Sequence, residues 1–231
     1  MQINKNLTTV NYKVNNSRTI KYIVLHYTGN DGDSAKANTN YFKSVYRGAS
    51  AHYFVDESEI WQVVEDDHVS WHCGDTQKFT NGGASYKRII TNTNSIGIEM
   101  CSDKVNGVYI ITEKTLANTV ELVVYLMKKY KIPLENVVRH YDVTGKLCPA
   151  PYVNNEKWQE LKERIAAAMV EEKIYNKLEE FNSEYQTALK WAIDRGILKG
   201  NGSGLGLTKS EAKGLVFMHR YAMAHECCCN K

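Results

Sequence analysis

The chain has 231 residues, of which 43% are apolar, and a net charge of +3. Such a length holds one large domain, or a medium domain with a small appendage, and such a composition can bury a full core. The small, dispersed charge gives no reason to expect nucleic acid as a partner, and no run reaches the roughly 18 apolar residues of a membrane span.

The first twenty residues, MQINKNLTTVNYKVNNSRTI, lack the apolar centre of a signal peptide, so synthesis in the cytoplasm is expected, with action elsewhere only after release. KYIVLHY (21–27) reads as a buried strand, and TGNDGDS as a polar turn. Ser34 then caps a helix to about Tyr46. AHYFVD (51–56) and IWQVVE (60–65) form an expected hairpin, and the polar stretch 74–93 an expected long surface loop of the kind that often carries function. SIGIEM (95–100) is a second apolar strand with one acid in it.

Apolar spacing at Leu116, Val120, Val123, Val124 and Met127 predicts a helix from Thr112 to Tyr130, stopped before Pro133. NVVRH is a short strand leading to the loop DVTGKLCPAP, and a further helix runs from about Asn155 to Met169. Strands alternating with helices predict an α/β fold, a central mixed β-sheet flanked by helices, plus a small helical C-terminal domain. The expected division is 1–169, a helical linker over 170–182, and a helix–turn–helix unit over 183–231.

Three residues carry the chemistry. His26 and His140 end apolar strands, and Cys148 follows eight positions after His140. Singly, a strand-end histidine is usually a hydrogen-bonded residue and a cysteine before proline a small buried one. Together, two imidazoles and a thiolate give three protein ligands and leave a fourth tetrahedral position to water, the pattern of a catalytic rather than a structural zinc site. The other cysteines, Cys73, Cys101 and the triplet Cys227, Cys228 and Cys229, match neither a disulfide framework nor a paired zinc knuckle.

YIVLHYTGN, AHYFVD, NTNSIGIEM and VVRHYDVTGKLCP occur in an order and spacing that resembles the zinc N-acetylmuramoyl-L-alanine amidases related to phage lysozyme amidases and peptidoglycan recognition proteins. The resemblance covers roughly residues 18–165. It implies a type-2 amidase fold, one Zn2+ per chain held by His26, His140 and Cys148, and peptidoglycan as substrate. The bond to be cut joins N-acetylmuramic acid to the L-alanine of the stem peptide. Glu99 then matches the position of a catalytic acid, either the base that orients water or a partner that orients a zinc histidine. Lys146, two before the third ligand, matches an oxyanion donor, against the alternative of a solvated loop cation.

Substrate contacts implied by the same resemblance are Trp71 and His72, which otherwise form a core edge, and Asn94, which otherwise caps a turn. One of His52 and Tyr53 is also expected near the metal, with the choice open. The C-terminal segment resembles a single S-layer-homology-like unit, which suggests a secondary wall polymer as partner, with a homodimer as the second reading. An amidase with such an appendage looks like a phage or prophage endolysin acting on a Gram-positive host. A bacterial autolysin or a fragment-recycling enzyme is the alternative.

Overall fold

The computed structural model describes residues 1–75, 79–170 and 174–226, which fall into two compact units, Met1–Met169 and Val170–Lys231. In chain order the first unit carries β1 (Ile3–Lys5), β2 (Tyr22–Tyr27), α1 (Ala35–Lys43), β3 (Tyr53–Val55), β4 (Ile60–Gln62) and β5 (Ser95–Met100). It continues with β6 (Asp103–Val105), β7 (Val108–Ile110), α2 (Glu113–Tyr130), β8 (Val137–Arg139), α3 (His140–Thr144) and α4 (Asn155–Met169).

Six of the described strands form one sheet in the order β1-β4-β3-β5-β2-β8, mixed because β3 and β4 are antiparallel while the other neighbours are parallel. β2 and β5 lie inside this sheet, which is why YIVLHY and SIGIEM read as nearly continuous apolar runs. One face of the sheet packs on α2 and α4. Ile23, Leu25, Ile96, Ile98 and Met100 meet Leu116, Leu122, Leu126, Leu161 and Ile165 there in the main core. Each such buried aliphatic side chain stabilises the unit by roughly 1.5–3 kcal/mol.

Local signals explain the helix starts. The Ser34 side chain accepts from Ala37 N at 3.2 Å, and that of Thr112 accepts from Thr115 N at 3.3 Å. α2 ends at Lys131, whose left-handed backbone returns its N–H to Met127 O. On the opposite face of the sheet, α1 buries Ala35 beside Phe54, Val63 and Val64, and it ends at Lys43, short of the expected Tyr46. β6 and β7 pair separately across Asn106 and Gly107, both at positive φ, the residue pair that a two-residue hairpin turn favours.

The second unit is built on α5 (Ser183–Asp194) and α6 (Lys209–Glu226), packed around Phe181, Leu189, Leu207 and Ala212. Asn182 caps α5. Thr208 and Glu211 bond reciprocally at the start of α6, a capping box. The expected helical linker over 170–182 is corrected. Tyr175 bridges to Leu207, Leu178–Glu180 is one 3-10 turn, and Phe181 enters the core, so the described part of this segment belongs to the second unit. Apolar Tyr175, Leu178 and Phe181 are what draw it in. The Cys227–Cys229 triplet lies outside the described residues. Among the described residues no helix is long and apolar enough to cross a membrane.

Candidate active site

The two-residue period of a strand decides which side chains reach the cleft. Along β2, Ile23 and Leu25 enter the main core, whereas Val24 packs on the other face with Cys73, Ile90, Val138 and Val143. His26 shares that second face. β5 repeats the pattern, sending Ile96, Ile98 and Met100 into the core and Gly97 and Glu99 to the opposite side. The parallel register sets Val24 beside Gly97 and His26 beside Glu99. β8 delivers His140 directly at its end, as the first residue of α3.

Cys148 is brought back to His140 by a short closed loop. Gly145 ends α3 at φ 82°, where a Cβ would stand 2.7 Å from Gly82 O. Tyr141 N then donates to Cys148 O at 2.8 Å. Arg139 holds the base of this loop. Its buried guanidinium donates to both oxygens of Asp142, to the carbonyls of Tyr152 and Val153 and to Asn155 Oδ1.

His26, His140 and Cys148 are all buried, and one donor atom from each lies within 4.8 Å of the others. His26 Nδ1 is 3.8 Å from Cys148 Sγ, close to the about 3.6 Å edge expected between nitrogen and sulfur on a tetrahedral zinc. Neither buried ring nitrogen of His140 has a hydrogen bond. Burial, then the neighbouring His140, His72 and Lys146, holds His26 well below the usual histidine range and therefore neutral. Burial, then Glu99, pushes the Cys148 thiol up. The neutral imidazole of His26, the unbonded ring nitrogens of His140 and a thiol that a cation would ionise form a donor set that fits a metal.

The cleft beside these residues has a volume of about 430 Å³ and is also lined by Glu99, Lys146, Trp71, His72, Asp75 and Asn92. Glu99 Oε2 is buried without a hydrogen bond. Burial raises this carboxyl to about 8, against the lowering pull of Lys146 and with a further push from Asp33. Lys146 is an exposed residue that lines the cleft. Trp71 is half-buried and packs edge-on against Tyr46.

Three expected substrate contacts lie elsewhere. His52 is fully buried behind His72, with Nδ1 accepting from Gly97 N and Ser70 Oγ and Nε2 donating to His68 O. Burial, reinforced by Arg18, lowers it to about 3. Tyr53 points the other way, into the main core, and donates to Asp66 at 2.5 Å. Neither of the two lines the cleft: His52 lies on the cleft side but stops short of it, and Tyr53 lies in the core. Asn94 caps a turn, accepting from Thr91 N and donating to Ile89 O.

Asn92, two residues earlier, lines the cleft instead, accepting from His72 N and Cys73 N at 3.0 and 2.8 Å. The sequence reading also missed Asp75, whose Oδ2 lies 2.8 Å from His140 Nε2, off the hydrogen-bonding direction of the ring. That contact, against a smaller opposing effect of burial, holds the carboxyl below its usual range. The one available signal was an acid directly after W-H-C-G.

Residues 16–151 match the model of the family described as N-acetylmuramoyl-L-alanine amidase. The chain belongs to this amidase family. Among curated relatives it is similar to the N-acetylmuramoyl-L-alanine amidase BlyA of Bacillus subtilis (strain 168), 37% identical over 157 residues, 65% of this chain and 42% of that protein. It is also similar to the N-acetylmuramoyl-L-alanine amidase CwlL of Bacillus licheniformis, 38% identical over 141 residues, 59% of this chain and 38% of that protein. The chain thus spans about two fifths of the length of these relatives. Among solved structures, the catalytic domain of XlyA superposes with a TM-score of 0.57 at 31% identity, covering 71% of this chain and 99% of that one. PlyL gives 0.58 at 28% identity, covering 71% and 97%. The mixed sheet flanked by helices is the fold of these amidase structures.

Proposed function

We propose that this amidase-family chain is a zinc-dependent hydrolase of the bond between N-acetylmuramic acid and L-alanine in peptidoglycan. The observation that carries the reading is the meeting of three buried donors, His26, His140 and Cys148, beside an open cleft that also holds Glu99 with an unpaired oxygen. Zinc bound by these three residues would act as a Lewis acid, polarising a carbonyl and making water a nucleophile near neutral pH.

The chain's own groups supply the rest. Glu99 is suited to take the proton of the attacking water and pass it to the departing L-alanine amine, because its carboxyl lines the cleft beside the three donors with one oxygen unpaired. Lys146, an exposed residue lining the same cleft, donates to the developing oxyanion. Trp71 offers an apolar wall on which the substrate can lie. Asn92 keeps that wall in place by bonding the backbone that follows Trp71.

An endolysin-type role is supported by the similarity to a mutant endolysin from Bacillus subtilis, 32% identical with a TM-score of 0.57. The second unit is proposed as a wall-polymer contact, on the ground that Phe217, Met218 and Tyr221 of α6 are exposed aromatic and apolar side chains. Digestion of purified peptidoglycan tests the activity. New L-alanine N-termini without new reducing sugars, lost to a chelator and restored by zinc, are expected. New reducing ends, or release unaffected by the chelator, would overturn the proposal.

A further inference from the structure

A chain of hydrogen bonds runs from the backbone to the far side of His26, and its proton positions follow from a single carbonyl. Ser95 Oγ lies 2.6 Å from Thr91 O. A carbonyl only accepts, so the Ser95 hydroxyl proton is committed to it. Ser95 Oγ, 3.1 Å from His72 Nε2, must then accept, which places the proton of His72 on Nε2. His72 Nδ1 is left bare, 3.0 Å from His26 Nε2, and accepts a proton carried there. The remaining nitrogen of His26, Nδ1, is therefore the unprotonated one, and it faces Cys148 Sγ at 3.8 Å.

The packing is built around the same ring. A Cβ on Gly97 would stand 2.5 Å from His72 Cγ and 2.8 Å from its Nδ1, so the glycine of S-I-G-I is the space in which His72 lies. Gly97 has an ordinary backbone conformation, so room rather than φ explains it. Its N–H and carbonyl are both tied to His52, which keeps the strand from moving away. Asn92 fixes the His72 backbone from the other side.

We infer that His72 is a positioning residue that selects Nδ1 of His26 as the metal-facing nitrogen, through a relay anchored at Ser95 and Thr91 and accommodated by Gly97. The inference rests on the metal-site reading above. A partner that fixes the tautomer of a ligating imidazole contributes about 10–100-fold in metal affinity. His72 touches neither substrate nor reacting atoms in this role.

Two readouts test it. The first is nitrogen NMR of the metal-free chain, where His26 is expected with its proton on Nε2. The second is zinc affinity by competition with a chromophoric chelator. His72→Leu, which removes the acceptor, and Gly97→Ala, which displaces the ring, are each expected to weaken zinc by about 10–100-fold. His72→Asn, whose amide oxygen can take the place of Nδ1, should hold zinc more tightly than His72→Gln, whose amide reaches the Nε2 position. If His72→Leu does not fold, the wild-type tautomer and Gly97→Ala still decide. A His26 proton on Nδ1, unchanged zinc affinity in Gly97→Ala, or equal losses in His72→Asn and His72→Leu would overturn the inference. A wild-type chain that takes up no zinc would instead overturn the metal reading, since the tautomer is measured without metal.

Discussion

His26 and Glu99 are register partners on the adjacent parallel strands β2 and β5. The pairing puts a metal-ligand candidate and an acid–base candidate side by side on one face, while their neighbours Leu25 and Ile98 anchor both strands in the core behind. Catalytic groups on paired strands are held more rigidly than groups on loops.

This relationship makes Glu99 a point where stability and activity oppose each other. Its carboxyl is raised to about 8 from 4.5, so its contribution to stability is complete below pH 4.5 and is lost as pH rises through 8. Glu99→Gln is expected to retain zinc but lose about 10²–10⁴-fold in kcat. In the metal-free form its melting temperature should gain on that of the wild type as pH goes from 4.5 to 8. Thermal scans across that window, with kinetics, check both.

Lys146→Ala removes a rim cation that makes no side-chain contribution to the core. Zinc content and folding should be unchanged, while kcat falls by about 10²–10³-fold, the usual loss for one oxyanion donor. A rise in KM alone would assign Lys146 to ground-state binding instead.

Arg139→Ala should act on the metal site from behind it. The substitution leaves the Asp142 carboxylate half-buried and without its bidentate partner, and frees the segment through Asn155. A loss of about 3–5 kcal/mol, the usual result of breaking one side of a buried pair, is expected in urea denaturation. Weaker zinc binding should accompany it, because Arg139 precedes His140.

Tyr53→Phe separates a structural from a substrate role. The hydroxyl is bound to Asp66, which keeps Gln62, Lys129 and Tyr130 as partners. A stability loss of about 1–2 kcal/mol is expected, with kcat/KM unchanged.

What was legible in the sequence is what alternation and capping encode. KYIVLHY and SIGIEM became β2 and β5, and Thr112 marked the start of α2 within one residue. His26 and His140 stood out because each sits at a strand end, whereas Cys148, in the loop after α3, stood out only by its place before Pro149 in the family pattern. The contributions of residues 74–93 were not legible. Asp75 and Asn92 reach the cleft through loop turns that no period describes, and so Asn94 stood out in place of Asn92. The Asn106-Gly107 hairpin was encoded locally by a turn pair, yet its strands are too short to show a period. His52 shows the other limit: alternation gives its face, but not that Gly97, Ser70 and His68 fill its hydrogen bonds.

The central claim is an open three-ligand centre of two imidazoles and one thiolate. X-ray absorption at the zinc edge of the zinc-loaded chain tests it most directly, in the wild type and in Cys148→Ala. The account predicts one sulfur near 2.3 Å with light-atom neighbours near 2.0–2.1 Å in the wild type, and loss of the sulfur in the variant. A sulfur-free first shell in the wild type, or a sulfur signal that survives in Cys148→Ala, would contradict it.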